Sequence, residues 1–248
     1  MYRRKSMEML YEGKSKRIYV KNSDTLLMEF KDEVTAMDGT VKAVAKGKGI
    51  INARISAYLF EFLEEAGMRT HYIDYDGMRT LTVKRLSIIP IEVIVRNYSY
   101  GSLLKRMPLY KPLQKLDPPL VELHFKDDSL HDPLILVEDV LNAGLLTKND
   151  MQTIANISLE VNKLLKDLFL SKNLTLIDMK LEFGRDRNGD IVLADEISGD
   201  TFRVLDENGE HLDKEIFRKS KDANLMMKAY VNLCKRLGVG VDDVHVYG

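Results

Sequence analysis

The 248-residue chain has one cysteine, no tryptophan and six prolines. A lone Cys234 cannot close an internal disulfide. This excludes a disulfide-stapled scaffold or a cysteine-rich zinc site and suits a reducing, cytoplasmic compartment. No apolar run approaches the ~20 residues that a membrane helix requires. Lys and Arg number 37 against 38 Asp and Glu, so the chain as a whole lacks the basic footprint of a nucleic-acid binder. The first six residues, Met-Tyr-Arg-Arg-Lys-Ser, are basic, but no apolar segment follows them. We expect no secretory signal there and read residues 1–7 as a loose basic tail. No repeat, low-complexity tract or Gly/Ser linker occurs. What is present, 45% hydrophobic and 30% charged residues, is ordinary globular usage. The length suits one large domain or two intimate ones.

The pattern predicts an α+β fold. Residues 9–31 read as short strands around the turns Glu12-Gly13-Lys14-Ser15-Lys16 and Asn22-Ser23-Asp24. Ile51, Ile55, Tyr58, Leu59, Phe62 and Leu63 fall at helical spacing, which predicts a helix over 49–66 stopped by Gly67. Residues 70–97 return to strands, with a turn at Asp76-Gly77 and a break expected at Pro90. Four of the six prolines lie between Pro108 and Pro119, so a loop is expected there, followed by a short strand at 121–126. Thr147 and Asp150 have capping-box spacing before a long helix carrying Ile154, Val161, Leu164, Leu165 and Leu168. A hairpin over 174–197 and a helix over 220–237 complete the chain. A division into 8–85 and 86–248 is expected, although no linker marks it.

The hairpin carries the clearest chemical signal. Strand side chains alternate faces, so Ile177, Met179, Leu181 and Phe183 share one face and Asp178, Lys180 and Glu182 the other. With Asn188-Gly189 as a two-residue turn, Glu182 is expected opposite Asp195. Directly opposed carboxylates repel, and a divalent cation would remove that cost. The competing interpretation is an ordinary solvated face.

Other clusters point the same way with less force. The turn Gly13-Lys14-Ser15-Lys16-Arg17 could cover phosphates, although it is not a Walker A loop. In the strand expected after Pro90, Glu92 and Arg96 lie on one face, four residues or ~13 Å apart, so each should face something else. Arg96, Asn97, Gly101 and Ser102 resemble an anion-binding cluster. His131 and Asp132 sit in a charged loop and are candidates for positioning a substrate. Asp200 and Arg203 could bind a substrate's polar groups.

Five segments in order resemble the SAICAR synthetase (phosphoribosylaminoimidazole-succinocarboxamide synthase) family. They are residues 10–16, 89–97 with Gly101-Ser102, His131-Asp132-Pro133, 177–184, and Asp195-Glu196-Ile197-Ser198. Tyr100 departs from the Ala or Thr common at that position in the family. The resemblance implies an ATP-grasp-like α+β fold, with a small N-terminal antiparallel β-rich part packed over a larger α+β part and the nucleotide cleft between. It implies an ATP- and Mg²⁺-dependent ligase that joins L-aspartate to the carboxylate of carboxyaminoimidazole ribonucleotide (CAIR) through an acyl-phosphate. By position, Lys14, Lys16 and Lys84 would serve ATP, and Glu182 and Asp195 would bind Mg²⁺ and ATP. Lys180, Asp178 and Arg203 would be catalytic. Glu92, Arg96, Ser102, His131, Asp132, Asp200, Arg203, Lys214 and Arg218 would meet the substrates, and Asp38 is a further site candidate of unassigned role. The resemblance also implies a cytoplasmic homodimer acting on small molecules, with no nucleic acid or membrane as partner. A small-molecule kinase on the same cleft is the alternative.

Overall fold

The computed structural model describes residues 7–36 and 40–244. The expected basic tail, apart from Met7, and Asp38 lie outside the described residues. The chain begins with three antiparallel strands, β1 (Met9–Glu12), β2 (Lys16–Val20) and β3 (Thr25–Phe30). Asn22 shapes the β2–β3 reversal, its Oδ1 accepting from the backbone N–H of Asp24 and Thr25 at 2.9 Å. A two-stranded ribbon, β4 (Glu33–Ala36) and β5 (Val41–Val44), leads into α1 (Lys48–Glu65). β6 (Tyr72–Tyr75) and β7 (Thr80–Lys84) then complete a five-stranded sheet in the order β1-β2-β3-β7-β6.

α1 ends as its sequence predicts. Gly67 has φ 85°, and the amides of Gly67 and Met68 donate to Glu64 and Leu63. Its start is set by close packing. A Cβ on Gly49 would lie 2.6 Å from the Phe30 carbonyl oxygen, so only glycine lets the helix approach the end of β3.

The second sheet contains β8 (Ser87–Tyr98), β9 (Lys115–Phe125), β10 (Leu134–Ile135), β11 (Thr175–Arg185) and β12 (Ile191–Ala194), in the order β10-β9-β8-β11-β12. β13 (Phe202–Leu205) also pairs with β11. A short α2 (Ser102–Arg106) precedes β9, and α3 (Val137–Asn142) and α4 (Lys148–Leu170) precede β11. Thr147 caps α4 with the predicted reciprocal bonds to Asp150. Ile154, Val161 and Leu165 of α4 are buried with Met179, Leu181 and Phe183 of β11 in one core, against which Leu164 and Leu168 pack half-buried. Two helices, α5 (Glu215–Ser220) and α6 (Ala223–Leu237), close the fold. The two sheets touch where the His71 amide donates to the Leu193 carbonyl at 2.9 Å.

Three local expectations are corrected. Pro90 does not break the strand, because β8 runs through it. Its carbonyl accepts from the Lys126 amide at 3.0 Å, just past the end of β9, so its missing N–H falls at a strand end rather than inside a ladder. Pro118 and Pro119 lie inside β9 rather than in a loop, where the β8–β9 register jumps between Leu120 and Lys115. The hairpin turn holds three residues, Arg187, Asn188 and Gly189. The Asp186 amide bonds to the Asp190 carbonyl, and Gly189 has φ 83°. The register is therefore one residue off the expected pairing, and Glu182 faces Ala194 rather than Asp195.

Candidate active site

Between the sheets lies a cavity of about 790 Å³, within the usual range for a small-molecule site. One end is roofed by Gly13, Lys14, Ser15 and Lys16 from the β1–β2 turn and floored by the apolar side chains of Ile18, Leu26, Met28, Val83 and Leu86. Lys16 Nζ lies 2.5 Å from Asp195 Oδ1 and 2.9 Å from Glu196 Oε1. Burial disfavours the Lys16 ammonium, but Asp195, Glu196 and Glu182 more than offset this and hold its pKa above the ordinary value. Burial likewise opposes the charged Asp195, and Lys16, Lys126 and Lys180 outweigh it, so the carboxylate is held below its usual range. Lys14 pairs with Asp128 at 2.6 Å, and Lys84 Nζ donates to the Thr70 carbonyl at 2.9 Å.

Asp195 leaves the strand alternation in the left-handed region, with φ 63°. His71 Nε2 donates to its carbonyl oxygen at 2.8 Å. Burial, helped by Lys16 and Lys84, outweighs the pull of Asp195 and lowers the His71 pKa to about 4. The imidazole is thus neutral near pH 7 and serves as a fixed donor.

In the middle of the cavity, the opposed carboxylates are Glu92 and Glu182, cross-strand partners on β8 and β11. The repulsion expected of such a pair is relieved by Lys180, whose Nζ lies 2.5 Å from Glu92 and 3.0 Å from Glu182. Lys126 also pairs with Glu182. Burial opposes the Lys180 ammonium, yet Glu182, Glu92 and Asp195 raise its pKa well above the ordinary value.

At the far end stand Asp178, Arg203, Ser102, Asp200, Lys214 and Arg218. Arg203 Nη1 donates to Asp178 at 2.7 Å and its Nε to Glu215 at 3.1 Å. Burial raises the Asp178 pKa against the pull of Arg203 and Arg96. Asp200 is held by Lys48 Nζ at 2.8 Å and by the Tyr230 hydroxyl at 2.6 Å. Lys214 lies 3.9 Å from Asp200, and its pKa is shifted down, first by burial and then by Lys48 and Arg218.

The structure brings fifteen sequence-selected residues to this one cavity: Lys14, Lys16, Lys84, Glu92, Arg96, Ser102, Asp132, Asp178, Lys180, Glu182, Asp195, Asp200, Arg203, Lys214 and Arg218. His131 does not join them. It is exposed, with φ 59°, and ends a 3-10 turn outside the cavity. Asp132 reaches the cavity but also braces its loop, accepting from the Asp127 amide at 2.9 Å. Arg96 is not an open anion fork. It is 1% exposed, and its five N–H groups go to Glu122 twice, Asp178, Ser102 and the Tyr100 carbonyl.

Sequence reasoning missed Glu196, Lys126, Glu122, Lys48, Tyr230 and His71. Glu196 and Lys126 adjoin or lie within segments already singled out, and an acid beside Asp195 was a readable signal. Lys48 and Tyr230 lie 152 and 30 residues from Asp200, and nothing local announces them.

Solved structures of closely similar fold are SAICAR synthetases, ligases with an α+β fold. One, in complex with ADP, is 46% identical with TM-score 0.88, covering 92% of this chain and 96% of its own. Another, from Ehrlichia chaffeensis, is 35% identical with TM-score 0.90, covering 94% and 99%. The phosphoribosylaminoimidazole-succinocarboxamide synthase of Caldivirga maquilingensis is 53% identical over 234 residues, which is 94% of this chain and 97% of that protein. The family model described as SAICAR synthetase matches residues 9–233. The chain belongs to the SAICAR synthetase family, whose members catalyse the ATP-dependent ligation of aspartate to CAIR in purine biosynthesis.

Proposed function

We propose that this chain joins L-aspartate to CAIR with hydrolysis of ATP, using the cavity between its two sheets. The observation that carries the reading is the row of paired charges through the cavity: Lys16 with Asp195 and Glu196, then Lys126, Glu182, Lys180 and Glu92. A carboxylate is a poor acyl donor, and phosphorylation supplies a leaving group that the aspartate amine then displaces. The chemical demand is for cations placed where phosphoryl charge develops. Lys16 and Lys180, both held charged, meet that demand as electrostatic partners rather than as bases.

The apolar floor beneath the glycine turn suits a purine ring, with Lys14, Lys16 and Lys84 beside its phosphates. Arg203, Ser102 and Arg218 suit the ribonucleotide phosphate, with Lys180 and Asp178 beside the reacting carboxylate. Arg96, whose donors are spent, serves by holding Asp178 and Ser102. The division near residue 86 goes with this reading, the first sheet covering ATP and the second carrying the substrates.

The donor set fits Mg²⁺ brought in by a nucleotide. Among the described residues no three His, Cys, Asp or Glu side chains form a ready cage. The hard oxygens of Glu182 and Asp195 line the cavity, and Mg²⁺ characteristically takes one or two carboxylates plus phosphate oxygens. Glu182 and Asp195 would hold the ion, which would neutralise phosphate charge. Homodimerisation and a cytoplasmic location belong to the same proposal. No helix among the described residues is long and apolar enough to cross a membrane.

The test is phosphate release from Mg²⁺-ATP with aspartate and CAIR omitted in turn. Release that needs all three, together with a succinocarboxamide product, supports the ligase. Release without aspartate would favour a kinase.

A further inference from the structure

Arg203 reaches the cavity from β13 with a side chain 19% exposed. Two of its donors are fixed, Nη1 on Asp178 and Nε on Glu215. Its Nη2 passes so close to Gly101, φ 59°, that a Cβ there would lie 3.1 Å away. The Arg203 guanidinium carbon also lies over the Tyr100 ring, 5.2 Å from its centre.

That ring is itself anchored. The Tyr100 hydroxyl is 2.8 Å from His211 Nε2, and His211 Nδ1 is 2.9 Å from Asp213 Oδ2. Asp213 is fully buried and accepts from the amides of Val204 and Glu215, at 2.9 and 2.7 Å. In the neutral imidazole, Nδ1 donates to Asp213, Nε2 accepts, and Tyr100 is the donor. Lys219 of α5 lies 5.4 Å from the same ring centre. The line Asp213–His211–Tyr100 therefore ties the 99–101 turn to α5, the helix that also supplies Glu215. Tyr100 does not line the cavity, so anything it does for a substrate passes through Arg203.

We propose that Tyr100 is a positioning residue for ribonucleotide binding, its anchored ring holding the Arg203 guanidinium so that Nη2 faces the substrate's anionic group. The proposal rests on the reading that Arg203 contacts the ribonucleotide.

The experiment is steady-state kinetics of the full chain with CAIR, ATP and aspartate varied in turn, for Tyr100→Ala, Tyr100→Phe, Arg203→Lys and the double variant Tyr100→Ala/Arg203→Lys. Loss of a desolvated cation–π contact predicts a KM for CAIR raised about tenfold in Tyr100→Ala, with the KM for ATP within about twofold of wild type. Tyr100→Phe keeps the ring but loses the tether, so its KM for CAIR should rise about threefold, of the order of one neutral hydrogen bond. The double variant should be no worse than Arg203→Lys alone, because the ring then has no guanidinium to hold. An unchanged KM for CAIR in Tyr100→Ala beside a raised one in Arg203→Lys would overturn the role of Tyr100 and leave the site reading intact. So would a KM raised equally for all three substrates, or fully additive effects in the double variant. Should Tyr100→Ala fail to fold, Tyr100→Phe decides: a wild-type KM for CAIR overturns the proposal. An unchanged KM for CAIR in Arg203→Lys would instead overturn the reading of Arg203 on which the proposal stands.

Discussion

Glu182 is 3% exposed and sits between Lys126 and Lys180, where its two oxygens hold cations that would otherwise repel. Glu182→Gln keeps the volume and removes the charge. We expect kcat/KM for Mg²⁺-ATP to fall about a hundredfold or more, the order found for removing one transition-state electrostatic partner, with cooperative unfolding retained. A normal Mg²⁺ dependence in the variant would remove Glu182 from the metal assignment. Arg96 makes the opposite case. It is buried between Glu122 and Asp178, so Arg96→Ala should chiefly lower stability, by about 3 kcal/mol, because it strips a partner from buried carboxylates. Denaturant melts would show this, and an unchanged midpoint would contradict it. His71 adds a pH dependence. Its folded pKa of about 4 lies below the unfolded value of 6.5, so between those values the unfolded chain binds the extra proton. That contribution is complete above pH 6.5 and is lost as pH falls towards 4. It amounts to about 3 kcal/mol by linkage. His71→Gln, which retains a donor, should flatten the slope of stability against pH in that window, and an identical slope would refute the assignment.

Elements meet at points where a single atom decides the fit. α1 approaches β3 so closely at Gly49 that an added methyl would meet the Phe30 carbonyl oxygen. The helix then carries Lys48 to Asp200 and Ser56 to the Ile197 carbonyl, tying the first sheet's helix to the loop after β12. Gly49→Ala should therefore cost about 1–3 kcal/mol through overpacking. It should also lower activity by displacing Asp200, which a thermal melt and a turnover assay on the same sample would register together. A variant with wild-type melting would show that α1 can shift without cost. Thr147 supplies a calibration at a helix end that does not line the cavity: Thr147→Ala should lose about 1 kcal/mol by removing the cap of α4, with turnover unchanged.

At the scale of the molecule, the cavity has one wall in each sheet, and the attractions across it join distant parts of the chain. Lys16 reaches Asp195 across 179 residues, and Lys14 reaches Asp128 across 114. A ligand that fills this space should stabilise both halves at once. Mg²⁺-ADP at a hundred times its Kd is expected to add about 2.7 kcal/mol to unfolding free energy by mass action. Lys16→Ala should abolish most of that gain. A thermal shift of equal size in the variant would place the nucleotide elsewhere.

Elements whose signals are local follow from near neighbours in the chain alone. Gly67 stops α1 because it can take positive φ, Thr147 and Asp150 cap α4 because they stand three apart, and strand alternation sends Asp178, Lys180 and Glu182 to one face. Most of the polar residues chosen for the site were legible through the family resemblance of their segments, because alternation alone makes a charged strand face as consistent with solvent as with a site. Register and pairing were not legible, since they depend on neighbours far along the chain. Whether the turn at Asn188-Gly189 held two residues or three decided that Glu182 met Ala194, and only the arrival of β8 alongside β11 set Glu92 opposite Glu182. Arg96 read as an open anion fork until the fold brought Glu122 and Asp178 to it. Tertiary structure alone decided which charges are spent on each other and which remain for a substrate, because coulombic and hydrogen-bond energies depend on distance in space and not on separation in sequence.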